Sequence, residues 1–378
     1  MRSCWRPCGG IAANGWRFGL WLSGHTSCGW KHIEGSATMP THGRPRGIST
    51  TGLVIRRCTF RGNIKGLWQD YGGDEMTIDR CLFEDNENGG FDNEMTEGVT
   101  IITDSVFRNN GYFSIRAYGA SGMIIQNSWL YSPRTNAKVD KTLYCNNLLF
   151  ISDSRDNVRG RKATIEGMII ADSTIVATSK DGNNFWMVDW RDKDDREVSL
   201  EEQFHHTVAS DFNTWFVRAK PYYGAKYFMG VDGEPSDFEP DLTFEQWRAL
   251  DPTSGFKLDA HSKWEDPGDE ALAAVADPTK KPEGNQKLSA IPDTARPPAG
   301  KAGVIDVLAN DFDADGDKLT LSGVSLQPAH GTARIDGGKL VYTPAEGYTG
   351  GDVLRYTVSD GQGGADTAMV MIAAGAKY

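Results

Sequence analysis

The sequence predicts an all-β chain, a parallel β-helix followed by a small β-sandwich, and three observations carry that expectation. The first is a repeat. Aligned on their ends, "VIRRCTFRGN" (54–63), "TIDRCLFEDN" (77–86), "IITDSVFRNN" (101–110) and "IIQNSWLYSP" (124–133) place Cys58, Cys81, Ser105 and Ser128 in one column, at spacings of 23, 24 and 23. Two residues later an apolar column follows, Phe60, Phe83, Phe107 and Leu130. The second observation is the vocabulary, which is β-rich and lacks helical periodicity. The third is a change of grammar beyond residue 289, where short alternating strands are separated by turn signals every 8 to 12 residues.

A unit of this length with alternating side chains cannot bury its apolar face alone, so the units stack as a solenoid. A helical-repeat array is excluded by the vocabulary, and a leucine-rich repeat by its missing Leu and Asn scaffold. In a parallel β-helix equivalent residues of consecutive coils are neighbours about 4.8 Å apart. The Cys/Ser column therefore reads as small side chains filling an inner corner, neither catalytic nor disulfide-bonded. None of the six cysteines forms a metal-like pair.

After residue 131 the pattern loosens. "TLYCNNLLFISD", "ATIEGMIIADSTIVAT" and "EEQFHHTVASDFNTWFV" still read as coil strands between polar insertions. In "DLTFEQWRALDPTSGFKLDAHSKW" Thr243 and Gln246 make a capping box. A short helix is expected there, closing the solenoid's open end. The domain boundaries are thus 1–264 for the solenoid, 265–289 for a segment of linker composition, and 290–378 for the sandwich.

Forty Lys and Arg against 51 Asp and Glu give a formal charge of −11. That balance argues against a nucleic-acid partner. No run is long and apolar enough for a membrane span, and the start lacks the apolar core of a secretory signal, so the natural start is expected to lie upstream. The chain is expected to be a monomer.

The chemistry is expected on the outer face. Asp70 lies eleven residues before Cys81, and Glu94 eleven before Ser105, so the two share a column on adjacent coils. Alternation sends Leu67 and Phe91 inward and Trp68, Asp70, Asp92 and Glu94 outward. Aligning Phe113 with Phe91 adds Arg116 to the Asp70 and Glu94 column, and sets Trp68, Asp92 and Ser114 in the next. Paired carboxylates suit glycoside hydrolysis, with one pKa raised by the other. Trp68 can stack on a sugar, and Arg116 can bind a uronate or neutralise charge in a lyase. His42, Arg44 and Arg46 are candidate subsites. His205 and His206 alternate and cannot share a metal, and Lys141 and Tyr144 are weaker candidates for a lyase's base and acid. In the C-terminal part, "NDFDADGDKLTL" spaces Asp311, Asp313, Asp315 and Asp317 by two around Gly316, an arrangement that can offer oxygens to calcium.

Two resemblances extend this reading. Residues 290–373, through "VLANDFDADGDKLT" and "GTARIDGGKLVYTPAEGYTGGDVLRYTVSDGQGG", resemble the cadherin-like tandem repeats of bacterial surface and secreted proteins. That resemblance implies an extracellular or cell-surface location. Residues 16–264, through "GLWQDYGGDEMTIDRCLFEDN" and "DFNTWF", resemble the right-handed parallel β-helix proteins of the pectate-lyase-like superfamily, with the N-terminal cap and earlier coils missing. The resemblance implies action on a polysaccharide, with hydrolysis favoured over lysis. A non-catalytic polysaccharide-binding or adhesin-type surface protein is the alternative, and a truncated, inactive remnant a third.

Overall fold

The computed structural model describes residues 20–21, 33–38, 49–70, 76–96, 98–131, 146–156, 162–163, 165–178, 182–190, 208–218, 226–229, 243–249, 258–281 and 283–375. The chain is nearly all β, a stack of coils followed by a β-sandwich.

Each coil contributes one strand to each of three parallel sheets, here called flank, back and front. In the second coil these are Met76–Asp79, Leu82–Glu84 and Gly89–Glu94, and in the third Thr100–Thr103, Val106–Arg108 and Phe113–Tyr118. At the N-terminal end Leu20–Trp21 and Ile33–Thr38 pair antiparallel with the first coil's front and flank strands. The interior is apolar, with Leu67, Phe91 and Ile115 from the front sheet meeting Phe60, Phe83 and Phe107 from the back. Those three back-sheet rings stack at 4.7 and 4.4 Å, within the spacing at which offset aromatic pairs attract.

The Cys/Ser column is an inner corner, and it is also a hydrogen-bond ladder. Ser105 Oγ accepts from the Cys81 N–H at 3.0 Å, Ser128 Oγ from the Ser105 N–H at 3.1 Å and Ser173 Oγ from the Ser128 N–H at 3.2 Å. The preceding residue is left-handed in every coil (Arg80 φ 52°, Asp104 φ 49°, Asn127 φ 48°). That turn aims the next N–H down the stack, where a buried donor needs an acceptor. A second ladder runs through Asn63, Asn86 and Asn110, with Asn86 Nδ2 donating to Asn110 Oδ1 at 2.8 Å.

The far end closes as its sequence requires. Helix α1, Phe244–Ala249, begins with the reciprocal bonds of a capping box, Thr243 N–H to Gln246 Oε1 at 2.8 Å and Gln246 N–H to Thr243 Oγ1 at 3.2 Å. It drives Trp247 into the solenoid's mouth beside Trp215. Both indoles donate to the fully buried Asp259, at 2.6 and 3.0 Å.

Residues 265–281 and 283–289 run back along the stack. Arg218 on the last coil holds Asp266 at 2.9 Å and also pairs with Asp269. Helix α2, Gly268–Ala273, then lays Leu272 on outward Val106, Tyr131 and Val176 of the back sheet. Arg57 on the first coil donates to the Lys280 carbonyl and to Gln286, both at 2.8 Å.

The sandwich pairs a four-stranded sheet with a three-stranded one. Its strand Ala365–Ala374 is buried on both faces. Ala368, Val370 and Ile372 enter the sandwich core, while Met369, Met371 and Ala373 pack on Ile124, Ile169 and Ala209 of the flank sheet. Arg355 seals the contact, bonding Asp172 at 2.6 Å with its guanidinium 4.4 Å from the Phe212 ring centroid. Burial pushes Asp172 up to about 6 against the pull of Arg355.

Candidate functional site

The front sheet carries the candidate site, and its register fixes which residues meet. Asp70 lies opposite Glu94, and Trp68 opposite Asp92. One coil on, Arg116 lies opposite Asp92 and Tyr118 opposite Glu94. The columns are therefore Trp68, Asp92, Arg116, Leu149 and Asp70, Glu94, Tyr118, Ile151. This corrects the expected alignment of Arg116 with Glu94. Ser114 is corrected too, being buried with its hydroxyl donating to Asn147 Oδ1 at 3.0 Å.

The reason for the shift is steric and polar. The Asn86–Asn110 bond keeps that corner in step, so Phe113, three residues past Asn110, falls opposite Gly89, three residues past Asn86. A Cβ on Gly89 would lie 2.1 Å from the Phe113 ring. Only glycine leaves room for the ring on the outer face, where Phe113 packs with Met95, Tyr118, Leu149 and Ile151.

Arg116 closes on Asp92 through two parallel bonds, Nε to Oδ1 at 2.6 Å and Nη2 to Oδ2 at 2.7 Å. Its Nη2 also lies 3.5 Å from Glu94 Oε2. Lys65, at the start of the neighbouring strand, pairs with the same Asp92, and its ammonium sits 3.9 Å from the Trp68 ring centroid. Asp92 is wholly buried beneath these two cations. Burying a carboxylate is tolerable only when it is paired and hydrogen-bonded in this way. Glu94 is partly exposed, its side chain 15% accessible. Sequence reasoning placed Asp92 and Arg116 on this face but missed Lys65, because alternation gives it the inward parity of Leu67, whereas at the start of its strand it reaches Asp92 and Trp68.

Of the other candidate residues, His42, Arg44, Arg46, Lys141, Tyr144, His205 and His206 lie outside the described residues.

In the sandwich the four alternating aspartates take separate partners. Asp311 accepts from the Ile291 N–H at 2.6 Å and from the Tyr356 hydroxyl at 3.2 Å. Asp313 caps its own turn, accepting from the N–H groups of Asp315 and Asp317. Asp315 accepts from the Gln286 N–H at 2.7 Å, and Asp317 is pushed upward in pKa by slight desolvation and by its acidic neighbours. Among the described residues no three carboxylate, histidine or cysteine side chains converge in a way that would hold a metal ion. Asp293 shares the Tyr356 hydroxyl with Asp311. Burial and the Asp311 charge push Asp293 up to about 8, and burial pushes Asp311 up to about 7.

Residues 285–373 match the family model of the bacterial Ig domain. The C-terminal unit is Ig-like. The match begins where Asn285 bonds Asp360 at 2.7 Å and Gln286 bonds Asp315, so the module's first contacts precede its first strand. A comparison of the chain with curated proteins gives no match. The stacked parallel sheets are those of a β-helix. Among the described residues no helix is long and apolar enough to cross a membrane.

Proposed function

We propose that the front of the solenoid is a glycosidase site, in which Asp70 and Glu94 are the two carboxyl groups that hydrolyse a polysaccharide with retention. The observation that carries this reading is their direct opposition on adjacent parallel strands. Neighbouring strands lie about 4.8 Å apart. Retaining enzymes hold their carboxyl groups at about 5 Å, whereas inverting enzymes need about 6.5–9.5 Å to admit a water. One carboxylate attacks the anomeric carbon as the other protonates the departing glycosidic oxygen. Water, deprotonated by that second group, then releases the sugar from the first.

The neighbouring residues suit supporting roles. Trp68, in the adjacent column, offers an aromatic face for a pyranose ring. Arg116, held by Asp92, keeps a guanidinium on Glu94. An Ig-like module fits a polysaccharide-directed protein at the bacterial surface or outside the cell, where such modules are often found.

A non-catalytic polysaccharide binder is the second reading. It is favoured by the buried pairing of Asp92 with Lys65 and Arg116, which would serve equally as a structural ladder. The test is a screen of the purified chain against neutral and uronic polysaccharides. It would follow reducing ends together with the ultraviolet absorbance of unsaturated uronides. New reducing ends alone support hydrolysis, and Asp70→Asn or Glu94→Gln should then cut turnover by about 10²–10⁴-fold. Both signals rising would replace hydrolysis by β-elimination. Neither rising, from a folded protein that retains polysaccharide, would leave the binder.

A further inference from the structure

The segment that runs back from the last coil does not lie flat on the solenoid. Between it and the corner where flank sheet meets back sheet lies a cleft of about 370 Å³, lined by Asp104, Val106, Asn127 and Trp129 below and by Ala274 and Pro278 above. We infer that this cleft binds one uncharged glycosyl unit, as a second saccharide site on the opposite side of the coil from Asp70 and Glu94. The inference stands apart from the glycosidase reading, since a polysaccharide binder would use the cleft equally.

The cleft has an aromatic floor and a roof of short side chains. Strand alternation sends Leu130 into the core and Trp129 outward, where it is half-buried. Above it the chain reads "ALAAVADP" (271–278), in which Leu272 and Val275 reach down to Val106, Tyr131 and Val176. Those two side chains prop the segment off the sheet, while Ala271, Ala274 and Ala276 line the space between and are too short to fill it. The volume is at the small end of the range for small-molecule sites, roughly 300–1,000 Å³. It has room for a sugar ring and not for a folded partner.

The corner supplies the polar groups. Asp104 Oδ2 accepts from Ser289 at 3.2 Å and from Thr103 at 3.1 Å, and Oδ1 from Lys287 at 3.1 Å. A carboxylate oxygen has two lone-pair sites, so Oδ1 can accept once more. Asn127 gives one long bond, Nδ2 to Asp366 Oδ2 at 3.4 Å, and keeps its carbonyl oxygen and a second amide hydrogen for a ligand. An anion placed here would meet the carboxylate of Asp104, and a cation the ammonium of Lys287 beside it. An apolar guest would strip water from Asp104 and Asn127 and return no bond. A sugar ring satisfies both kinds of surface, with its C–H face on the indole and its hydroxyls donating to Asp104 and exchanging bonds with Asn127.

The experiment titrates the full chain with cellobiose, maltose and xylobiose, following binding by saturation-transfer NMR and the rate of proteolysis between residues 276 and 285. A sugar held under the segment bridges it to the solenoid, so at least one of the three should bind and slow that cleavage. Trp129→Ala removes the floor and should weaken binding by at least about tenfold, the scale of a lost aromatic contact. Ala274→Trp keeps the floor and fills the cleft, so it should abolish the protection even if Trp129→Ala loosens the fold. Neither variant should alter turnover of a short aryl glycoside at the front face. Binding and protection that survive Ala274→Trp in a folded variant overturn the inference, because the sugar then sits elsewhere. Absence of protection by all three sugars overturns it too, and both results leave the account of Asp70 and Glu94 standing.

Discussion

Replacing Asp259 by asparagine is expected to destabilise the solenoid by about 2–3 kcal/mol, the scale of one buried donor losing its acceptor with another set against it. Asp259 Oδ1 accepts from Trp215 Nε1 at 3.0 Å, Ser210 Oγ at 2.8 Å and Ser262 Oγ at 2.6 Å, while Oδ2 accepts from Trp247 Nε1 at 2.6 Å. An indole N–H can only donate. An amide in place of the carboxylate keeps one acceptor oxygen and turns the other position into a donor. Whichever way it is oriented, one of the two indoles faces an N–H. Serine hydroxyls can rotate to adapt, but the tryptophans, both wholly buried, cannot. Asp259→Ala removes every acceptor and leaves a void, and should cost more, about 3–5 kcal/mol. The assay is urea unfolding followed by tryptophan fluorescence. A slope of about 2–3 kcal/mol per molar urea turns the asparagine penalty into a midpoint drop of about 1 M. A midpoint for Asp259→Asn equal to that of the parent would refute the claim that this carboxylate organises the closing end.

Further expectations concern the Ig-like module. Met371→Asp puts a charge into the contact with Ile124 and Ile169, where Met371 is wholly buried. It should undock the module, seen as a larger radius of gyration in X-ray scattering and faster proteolysis between residues 276 and 285; an unchanged profile would count against the interface. Asp293 and Asp311 keep protons in the folded module up to about pH 8 and about 7, whereas the unfolded chain releases them near its ordinary 3.8. The folded state therefore binds more protons across that window, so this pair's contribution is full below pH 4 and is lost as pH rises toward 8. Comparing melts of the parent and Asp311→Asn from pH 5 to 8 isolates that slope, and a parent that gains stability relative to the variant as pH rises would contradict it. Calcium at Asp311, Asp313, Asp315 and Asp317 would have to displace the backbone bonds that Asp313 and Asp315 accept. Calorimetry should then show weak binding, with a dissociation constant of about 10⁻³ M, and no heat at higher concentrations would remove the ion from the account.

Much of the fold was legible because a stacked coil writes its geometry into columns. Cys58, Cys81, Ser105 and Ser128 announced an inner corner, and Thr243 with Gln246 announced the closing helix. The ladder along the corner was less visible, since it depends on left-handed residues as unlike as Arg80, Asp104 and Phe212. Register on the front face was misjudged by matching Phe113 to Phe91, one ring to another. The aligned asparagines Asn63, Asn86 and Asn110 were the better anchor, because a buried amide must find its partner while an aromatic ring can pack on either face. Docking of the Ig-like module also left a mark that composition concealed. A strand with one wet face alternates, yet "AMVMIAA" runs apolar without a break, and the flank strands double their isoleucines at Ile101–Ile102, Ile124–Ile125 and Ile169–Ile170. Those two unbroken faces meet each other.

The opposition of Asp70 and Glu94 is the centre of the functional account, and the stereochemistry of the first product tests it most directly. Proton NMR of a neutral aryl glycoside during early turnover, before mutarotation, distinguishes the two anomers. The account predicts a sugar released with the configuration of the substrate. A sugar released with inverted configuration would contradict it, since inversion needs carboxyl groups further apart than opposed residues on neighbouring strands.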